Sequence, residues 1–422
     1  MAIIGLSRAD DLSTVYEAAL LNNAVYRSAE AQLAAARARV PESAATLLPQ
    51  LSVSANTLWN DNNSNTYNRQ QYNSNGYTVS LTQPIWRSQN VIGLEQSRTL
   101  ADQARAQADL ARQDLIIRTA QAYFDVLYAQ DALTTFKEQR AADLEQLEQA
   151  TRSFQLGAAT ITDVHDIKAR YDLVGAQEIG AENDVATKRQ VLHQIINKDP
   201  GTLARLRPGV MLMSPVPATL GPWEEAAQAN NPAVVAAQAG VDAAHLEEKK
   251  SRAAHWPTFD LVASHGFSKS AQYITEGQNL HFDTIGVQFA VPIYSGGGTA
   301  AKVREDTALL DKANADLDDA RRSGALSAQQ AFLGITSGLA QVKALEVALE
   351  SSRLALTSNK RGVAVGERIN LDVLNAQQEL SVTQRDLAKA RYETLMSLLK
   401  LKAAAGTLGP VDIDEVNALL EK

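Results

Sequence analysis

The chain has 422 residues, of which 45% are hydrophobic but only 5% aromatic, and 40 basic against 48 acidic side chains give a net charge of −8. No basic run exists, so nucleic acid and an anionic lipid surface are set aside as partners. No cysteine exists either, which excludes disulfides, thiolate metal sites and a cysteine nucleophile and suits passage through an oxidising compartment.

From the N-terminus, Ser7-Arg8-Ala9 before Asp10 looks like the end of a secretory leader, and the chain is read as nearly mature with most of that leader missing or replaced. Leu12 to Ala45 is alanine-rich and helical, with Pro41 expected to kink it. The period then changes to two. Leu51, Val53, Ala55, Thr57 and Trp59 alternate with Gln50, Ser52, Ser54 and Asn56, and Tyr77, Val79 and Leu81 alternate with Thr78, Ser80 and Thr82, predicting strands at about 47–59 and 77–86 around a polar loop, Asn60 to Asn75.

After Trp86 a helical pattern runs without proline from Ser88 to Gln155, which at 1.5 Å per residue extends roughly 100 Å. Small and apolar residues hold three-four spacing along it, from Ala101, Ala104 and Ala108 through Ala122, Val126 and Ala129 to Leu144, Leu147 and Phe154. Gly157 interrupts it, a second long helix follows to about residue 196, and a proline-rich stretch with Pro200, Pro208, Pro215, Pro217 and Pro222 reads as a surface connector with little regular structure.

The rest of the chain repeats this order. Asn22-Asn23 recurs as Asn230-Asn231, Pro49 as Pro257, and Pro84-Ile85-Trp86 as Pro292-Ile293-Tyr294, all at one constant offset, while Asp163 recurs as Asp372, a single position further on. Residues 10–215 form the first repeat and 216–405 the second, with strands at about 257–268 and 283–294, a loop from Lys269 to His281, and a hairpin turn near 362–366.

No run of 18 apolar residues exists, so a membrane-spanning helix is excluded and a β-barrel is the way left across a bilayer. Four strands of about ten residues, apolar on one face and small and polar on the other, fit such a barrel or a half-buried soluble sheet; the long polar loops favour the barrel. Four strands cannot close, so the barrel must be shared between chains, eight strands in a dimer or twelve in a trimer. Trp86, Tyr294 and Trp256 at strand ends read as anchors at the membrane interface or as core plugs.

Six segments carry a resemblance to a known family: Ala122-Tyr-Phe-Asp-Val-Leu127, Gly157 through Ile161-Thr-Asp-Val164 to Tyr171-Asp-Leu-Val174, Pro292-Ile-Tyr-Ser-Gly-Gly297, Val365-Gly-Glu-Arg368, Leu371-Asp-Val-Leu374 and Ala405-Gly-Thr-Leu408. In them, and in their order, the chain resembles the TolC family of outer-membrane efflux and secretion channels. The resemblance implies an α+β membrane protein: a homotrimer with a shared twelve-stranded β-barrel in outer-membrane lipid, joined to a long α-helical coiled-coil barrel in the periplasm of a Gram-negative cell. It also implies a mixed equatorial collar from residues 197–222 and 406–422, and a periplasmic adaptor and an inner-membrane pump as partners, with drugs or proteins as cargo. By motif, Arg368 should bond Thr162 and Asp163 to hold the entrance shut, as a planar guanidinium suits a carboxylate. The sequence departs where relatives commonly carry a tyrosine five residues before that arginine, since Val363 stands there. Asp372 matches the first of two aspartate rings at the narrowest point, and Asn375 occupies the second. Like charges about 6 Å apart at an effective dielectric near 20 repel by about 3 kcal/mol per pair, so the remaining ring should favour cations.

Other readings are weaker. Gly157, Gly362 and Gly366 are either plain helix C-caps or points where an adaptor's helical tip approaches the backbone. Gly296-Gly297-Gly298 follows a strand and precedes a helix, but without the Lys-Ser/Thr of a phosphate loop it reads as a joint between barrel and tunnel. His165, His193, His245, His255, His265 and His281 show neither metal spacing nor the partners of a serine nucleophile, so no catalytic residue, metal or cofactor is assigned. The alternative to an exit duct is a soluble coiled-coil scaffold.

Overall fold

In a computed structural model, residues 9–63, 69–270 and 278–421 are described. Ser7-Arg8 and the tips of both polar loops lie outside them. The elements run α1 (Leu12–Asn22), α2 (Ala24–Ala45), β1 (Gln50–Asn62), β2 (Gln70–Trp86), α3 (Ser88–Gln155), α4 (Ile161–Ile196), α5 (Gly221–Asn230), α6 (Pro232–Ala253), β3 (Thr258–Ser270), β4 (Gln278–Ala290), α7 (Gly298–Ala364), α8 (Asn370–Ala404) and α9 (Pro410–Asn417).

Two compact units divide the chain, and they are not the two repeats. One holds Ala31–Ala106 with Val235–Asp319; the other holds Gln107–Val234 and Ala320–Lys422 with the N-terminal residues up to Glu30. Each unit takes one share from each repeat, because the elements that pack together are the equivalent ones.

The first unit contains one antiparallel sheet in the order β1-β2-β3-β4. Cross-strand rows set Leu51 beside Leu81 and Ala263, and Val53 beside Val79 and His265, so the alternating apolar residues gather on one face. That face is bare, with Leu51, Val53, Ile285, Val287 and Phe289 all exposed. One polar pair interrupts it: His265 and Asp283 sit opposite each other and bond at 2.7 Å, so neither presents an unmatched polar group. Both strands of the first hairpin run further than expected, to Asn62 and from Gln70, because asparagines and serines of the assigned loop bond across the ladder, as Asn60 does with Ser74 at 2.9 Å. At the other end of the sheet, Trp86 stacks on Trp256 and tilts against Phe259, and both tryptophans are exposed, which rules out core plugs. The joint from β2 into α3 is fixed by a bidentate pair, Arg87 Nε donating to Asp260 Oδ1 at 2.7 Å and Nη2 to Oδ2 at 2.5 Å.

In the second unit the main core gathers α1, the middle of α3 and the ends of α4 and α8 with α9. The motif residues Tyr123 and Phe124 are fully buried there, and the Tyr123 hydroxyl donates to the carbonyls of Ala204 at 2.8 Å and Asp10 at 3.2 Å. Burial pushes that phenol's pKa up. The proline-rich connector is therefore not all surface: Leu203 and Ala204 are buried, and an antiparallel bridge joins Leu206 to Leu420. A second core repeats the first. Val15 and Ala19 of one correspond, by the offset of the repeat, to Trp223 and Ala227 of the other, and Tyr123, Val126, Leu192 and Ile196 correspond, one position further on, to Phe332, Ile335, Leu401 and Ala405.

The expected helix from Leu12 to Ala45 is broken at Asn23, while Pro41 lies within α2. Asn23 takes an extended backbone, its side-chain oxygen accepts from Val25 and Tyr26 N–H at 3.1 Å each, and its amide nitrogen donates to the Ile195 carbonyl at 3.4 Å. Asn231 does the same between α5 and α6, accepting from Ala233 at 2.8 Å and donating to Ala404 O at 2.9 Å. One asparagine thus ends a helix, caps the next and ties the corner to the returning hairpin.

On α7, Leu326, Leu333, Val347 and Leu354 fall on one heptad register and are all exposed. This stripe corrects one expectation, since α7 contains an 18-residue stretch long and apolar enough, by length and composition, to cross a membrane. Its apolar residues make a seam, with Gln341, Lys343 and Glu346 between them, and Glu346 bonds Arg391 at 2.6 Å. On the opposite side α7 meets α8 at close range, and a Cβ on Gly338 would collide with Thr394 Oγ1.

Asn231→Ala is expected to lower stability by about 1–2 kcal/mol through loss of the cap and the cross-helix bond. Asn231→Asp keeps the cap acceptor but cannot donate to Ala404, so it too should melt early. Thermal unfolding in detergent followed by circular dichroism checks this, and a wild-type melting point for Asn231→Asp would show that the cross-helix bond contributes nothing.

Candidate functional site

The chain turns back on itself twice, between α3 and α4 and between α7 and α8, and the two turns share a backbone. In the first, Gly157 N–H donates to Phe154 O at 2.9 Å and Ala158 N–H to Ser153 O at 2.8 Å; in the second, Gly366 bonds Val363 at 3.1 Å and Glu367 bonds Gly362 at 2.9 Å. Both are Schellman ends, and both put glycine at positive φ, +75° for Gly157 and +80° for Gly366. A Cβ at either would meet nothing within 4 Å, so the turn backbones are bare.

The turns differ in how the return helix starts. Thr160 caps α4 in a full capping box, its hydroxyl accepting from Asp163 N–H at 3.2 Å while the Asp163 carboxylate accepts from Thr160 N–H at 3.0 Å. Those bonds hold the Asp163 carboxyl below its ordinary pKa. At the equivalent place α8 has Ile369, which offers no side-chain cap. Asp372, at the position of Asp163, is therefore released from capping. Its carboxylate lies 3.7 Å from the Arg368 guanidinium, one turn back.

Gly362 has an internal task. A Cβ there would stand 2.6 Å from Cγ of Arg368, so the glycine makes room for the stem of that arginine. Thr162 is exposed, and within one chain Arg368 meets Asp372 while Asp163 bonds its own cap.

Asn375 sits one turn beyond Asp372 but is tied to another helix. Arg170 of α4 donates to its side-chain oxygen at 2.8 Å and to Gln378 at 3.2 Å. This link lies beside a small apolar cluster of Ala150, Ile167 and Leu374, which packs α8 onto the hairpin of α3 and α4, while Val373 packs with Leu356 of α7. Nearby Asp143 is buried, and desolvation, partly offset by the Arg170 cation, raises its pKa to about 6. Sequence reasoning missed both. Arg170 is one cation among many on a solvated helix, with nothing to mark it. Asp143 could have been found, because it stands seven residues after Phe136 on the apolar seam of α3, where a lone acid is out of place.

Comparison with known proteins gives consistent results. The family model described as "Outer membrane efflux protein" matches residues 15–198 and 223–407, two stretches whose starts are separated by the offset of the internal repeat. The chain is 31% identical over 416 residues to outer membrane protein TolC of Vibrio cholerae, covering 98% of this chain and 94% of that protein. It is equally 31% identical over 416 residues to the alkaline protease secretion protein AprF of Pseudomonas aeruginosa, covering 96% and 86%. Among solved structures, the CmeC outer membrane channel of Campylobacter jejuni superposes with a TM-score of 0.83 at 17% identity over 97% of this chain and 90% of that one. The outer membrane protein VceC of Vibrio cholerae gives 0.81 at 18% identity over 94% and 96%. The soluble-scaffold alternative falls on these matches, and the sheet and long helices take their places as a barrel in the Gram-negative outer membrane and its periplasmic extension. The chain belongs to the outer membrane efflux protein family, the exit ducts of efflux and type I secretion systems.

Proposed function

We propose that three copies of this chain form one passive duct, with twelve strands in the outer membrane and the hairpin turns at the periplasmic entrance. The observation that carries this reading is the four-stranded sheet, apolar and bare on one face and open along both edges. In lipid every unpaired backbone group costs several kcal/mol, so such a sheet is stable only when closed with others. The exposed heptad on α7 supports the same reading, as a seam awaiting a neighbouring helix. A periplasmic adaptor meets the bare turn backbones at Gly157 and Gly366 and connects the duct to an inner-membrane pump. Residues 197–222 and 406–422 belong to a collar around the helices. The duct carries out no chemistry of its own and uses no cofactor. In detergent, light scattering should give a protein mass of about 137 kDa for three chains, and planar bilayers should show single-channel conductance. A stable monomer or a silent bilayer would overturn the reading.

At the entrance, three copies of Asp372 form the ring that draws cations, because no capping bond consumes that carboxylate. Asp372→Ala should weaken both cation selectivity and block by trivalent ions. Asn375→Asp should change neither, since the new carboxylate would pair with Arg170 at the place where the amide now accepts. Adding Arg170→Ala to Asn375→Asp should then expose the second ring and tighten block. Reversal potentials and block constants in bilayers decide, and unchanged block in Asp372→Ala would place the ring elsewhere.

Arg368 locks the entrance by reaching Thr162 and Asp163 of a neighbouring chain, with Gly362 holding its stem clear. A charge-assisted bond of this kind contributes about 1.5–3 kcal/mol per copy. Arg368→Ser should therefore raise single-channel conductance, and Arg368→Lys, which keeps the charge but loses the fork, should raise it partly. Equal conductance in wild type and Arg368→Ser would mean that packing alone closes the entrance.

A further inference from the structure

The internal repeat is in register within the sheet. β1 spans Gln50–Asn62 and β3 spans Thr258–Ser270, so both ends are related by the repeat offset, and the starts of β2 and β4, at Gln70 and Gln278, are related in the same way. The hairpins pair alike, with Gln50 opposite Thr82 in one and Thr258 opposite Ala290 in the other. Only the far ends disagree. β2 runs to Trp86, whereas β4 stops at Ala290, short of Tyr294, the equivalent of that tryptophan.

The reason lies in the outer neighbour. β1 pairs with β2 only as far as Thr82, and the last residues of β2 are held from the other side, Gln83 by Leu261, Pro84 by Asp260 and Trp86 by Phe259. The corresponding side of β4 is an open edge, so Val291 to Tyr294 have no ladder to join. Ile293 is 94% exposed and Tyr294 86% exposed.

Closure of the proposed assembly sets β4 of one chain antiparallel to β1 of the next, and from the repeat we infer its register, the one that the β2–β3 pairing dictates when carried across. The inference rests on the proposed closed assembly. On the apolar face Ile285 then lies opposite Trp59, Val287 opposite Thr57, Phe289 opposite Ala55 and Val291 opposite Val53. On the polar face Gln288 lies opposite Asn56 and Gly286 opposite Leu58. Aromatic with β-branched, large with small and amide with amide are favourable cross-strand pairs.

The glycines argue independently for the same register. Within the chain a Cβ on Gly266 would collide with the Phe282 ring and one on Gly76 would meet Phe267 O at 2.6 Å, so both are covered; Gly286 has nothing within 4 Å. Leu58, an exposed apolar side chain on the polar face, has no covering task within its own chain. The register places that side chain over the bare glycine. A slip of two positions would set Asn56 or Asn60 there, and a slip of one would turn the apolar row inward. The last pair, Asp283 with Asp61, brings two carboxylates together, but each already has a partner in its own chain, His265 at 2.7 Å and Arg69, whose Nε bonds at 2.7 Å.

The chain contains no cysteine, so cross-linking is free of background. Of the adjacent doubles Val287→Cys with Thr57→Cys and Gln288→Cys with Asn56→Cys, one is a non-hydrogen-bonded pair with Cα atoms about 4.5 Å apart, within disulfide reach. Oxidation of the detergent-solubilised full chain should convert the monomer band to a covalent trimer on a non-reducing gel for at least one of these. The slipped doubles, Val287→Cys with Ala55→Cys and Gln288→Cys with Ser54→Cys, should stay largely monomeric. Faster linking of a slipped double overturns the register, as does no linking by either matched double in a preparation that light scattering finds trimeric. A monomer by light scattering instead removes the assembly itself. Wild-type amide exchange needs no substitution: in the trimer the amide of Tyr294, the equivalent of the paired Trp86, should be protected, and exchange as fast as that of Gly296 to Gly298 overturns the pairing.

Discussion

A sheet edge cannot face lipid. Along β1 and β4 a row of N–H and C=O groups lacks partners, and in a hydrocarbon layer each unmatched group costs several kcal/mol, far more than a single side-chain contact contributes. Much of the rest of the structure follows from that constraint. A chain with four strands is unfinished by itself, and so are its helices, whose apolar seam on α7 stands in solvent. The same logic explains the low aromatic content and the many alanines, because helices that must line a common passage meet over long distances and need close, even spacing more than bulk.

The two halves show what can be varied once the frame is fixed. Their corners are alike: Asn23, accepting from two N–H groups, and Asn231, accepting from one, each cap one helix and reach the carbonyl near the end of another. Their joints below the sheet are not. Arg87 clamps Asp260 at the first, whereas the second passes through Gly296 and Gly297, at φ of +63° and +81°. By the repeat, Asp260 corresponds to Ser52 and Arg87 to Ser295, so the second joint has neither half of the clamp. It is the one on the open edge, where the chain must fit a neighbour as well as itself.

Much of this could be read from the sequence. Period-two alternation located all four strands, the constant offset revealed the repeat, and the absence of proline marked α3 from Ser88 to Gln155, the limits seen in the structure. What the sequence hid has physical causes. The strand extensions at Asn62 and Gln70 are built from asparagine and serine, which propensity assigns to loops and which here bond across the ladder. The break at Asn23 was concealed because helix-forming residues flank it on both sides, while Pro41, the obvious breaker, stays inside a helix. At the candidate site, motif matching found Asp372 and Arg368 but not the tie between Arg170 and Asn375, which depends on two helices lying side by side and leaves no trace in either.

The start of α8 carries a further lesson. Thr160 gives the hairpin of α3 and α4 a closed capping box, and Ile369 at the matching place leaves that of α7 and α8 uncapped, so Asp372 makes no capping bond and lies beside Arg368 instead. Threonine and isoleucine codons differ by a single base. One nucleotide therefore separates this chain from a version whose return helix would start more firmly, by about 1 kcal/mol, and whose Asp372 would be drawn back into its own backbone. That version would fold at least as well, and in the duct proposed above it would lose the cation-drawing ring, so a screen for stability alone would favour it over the present chain.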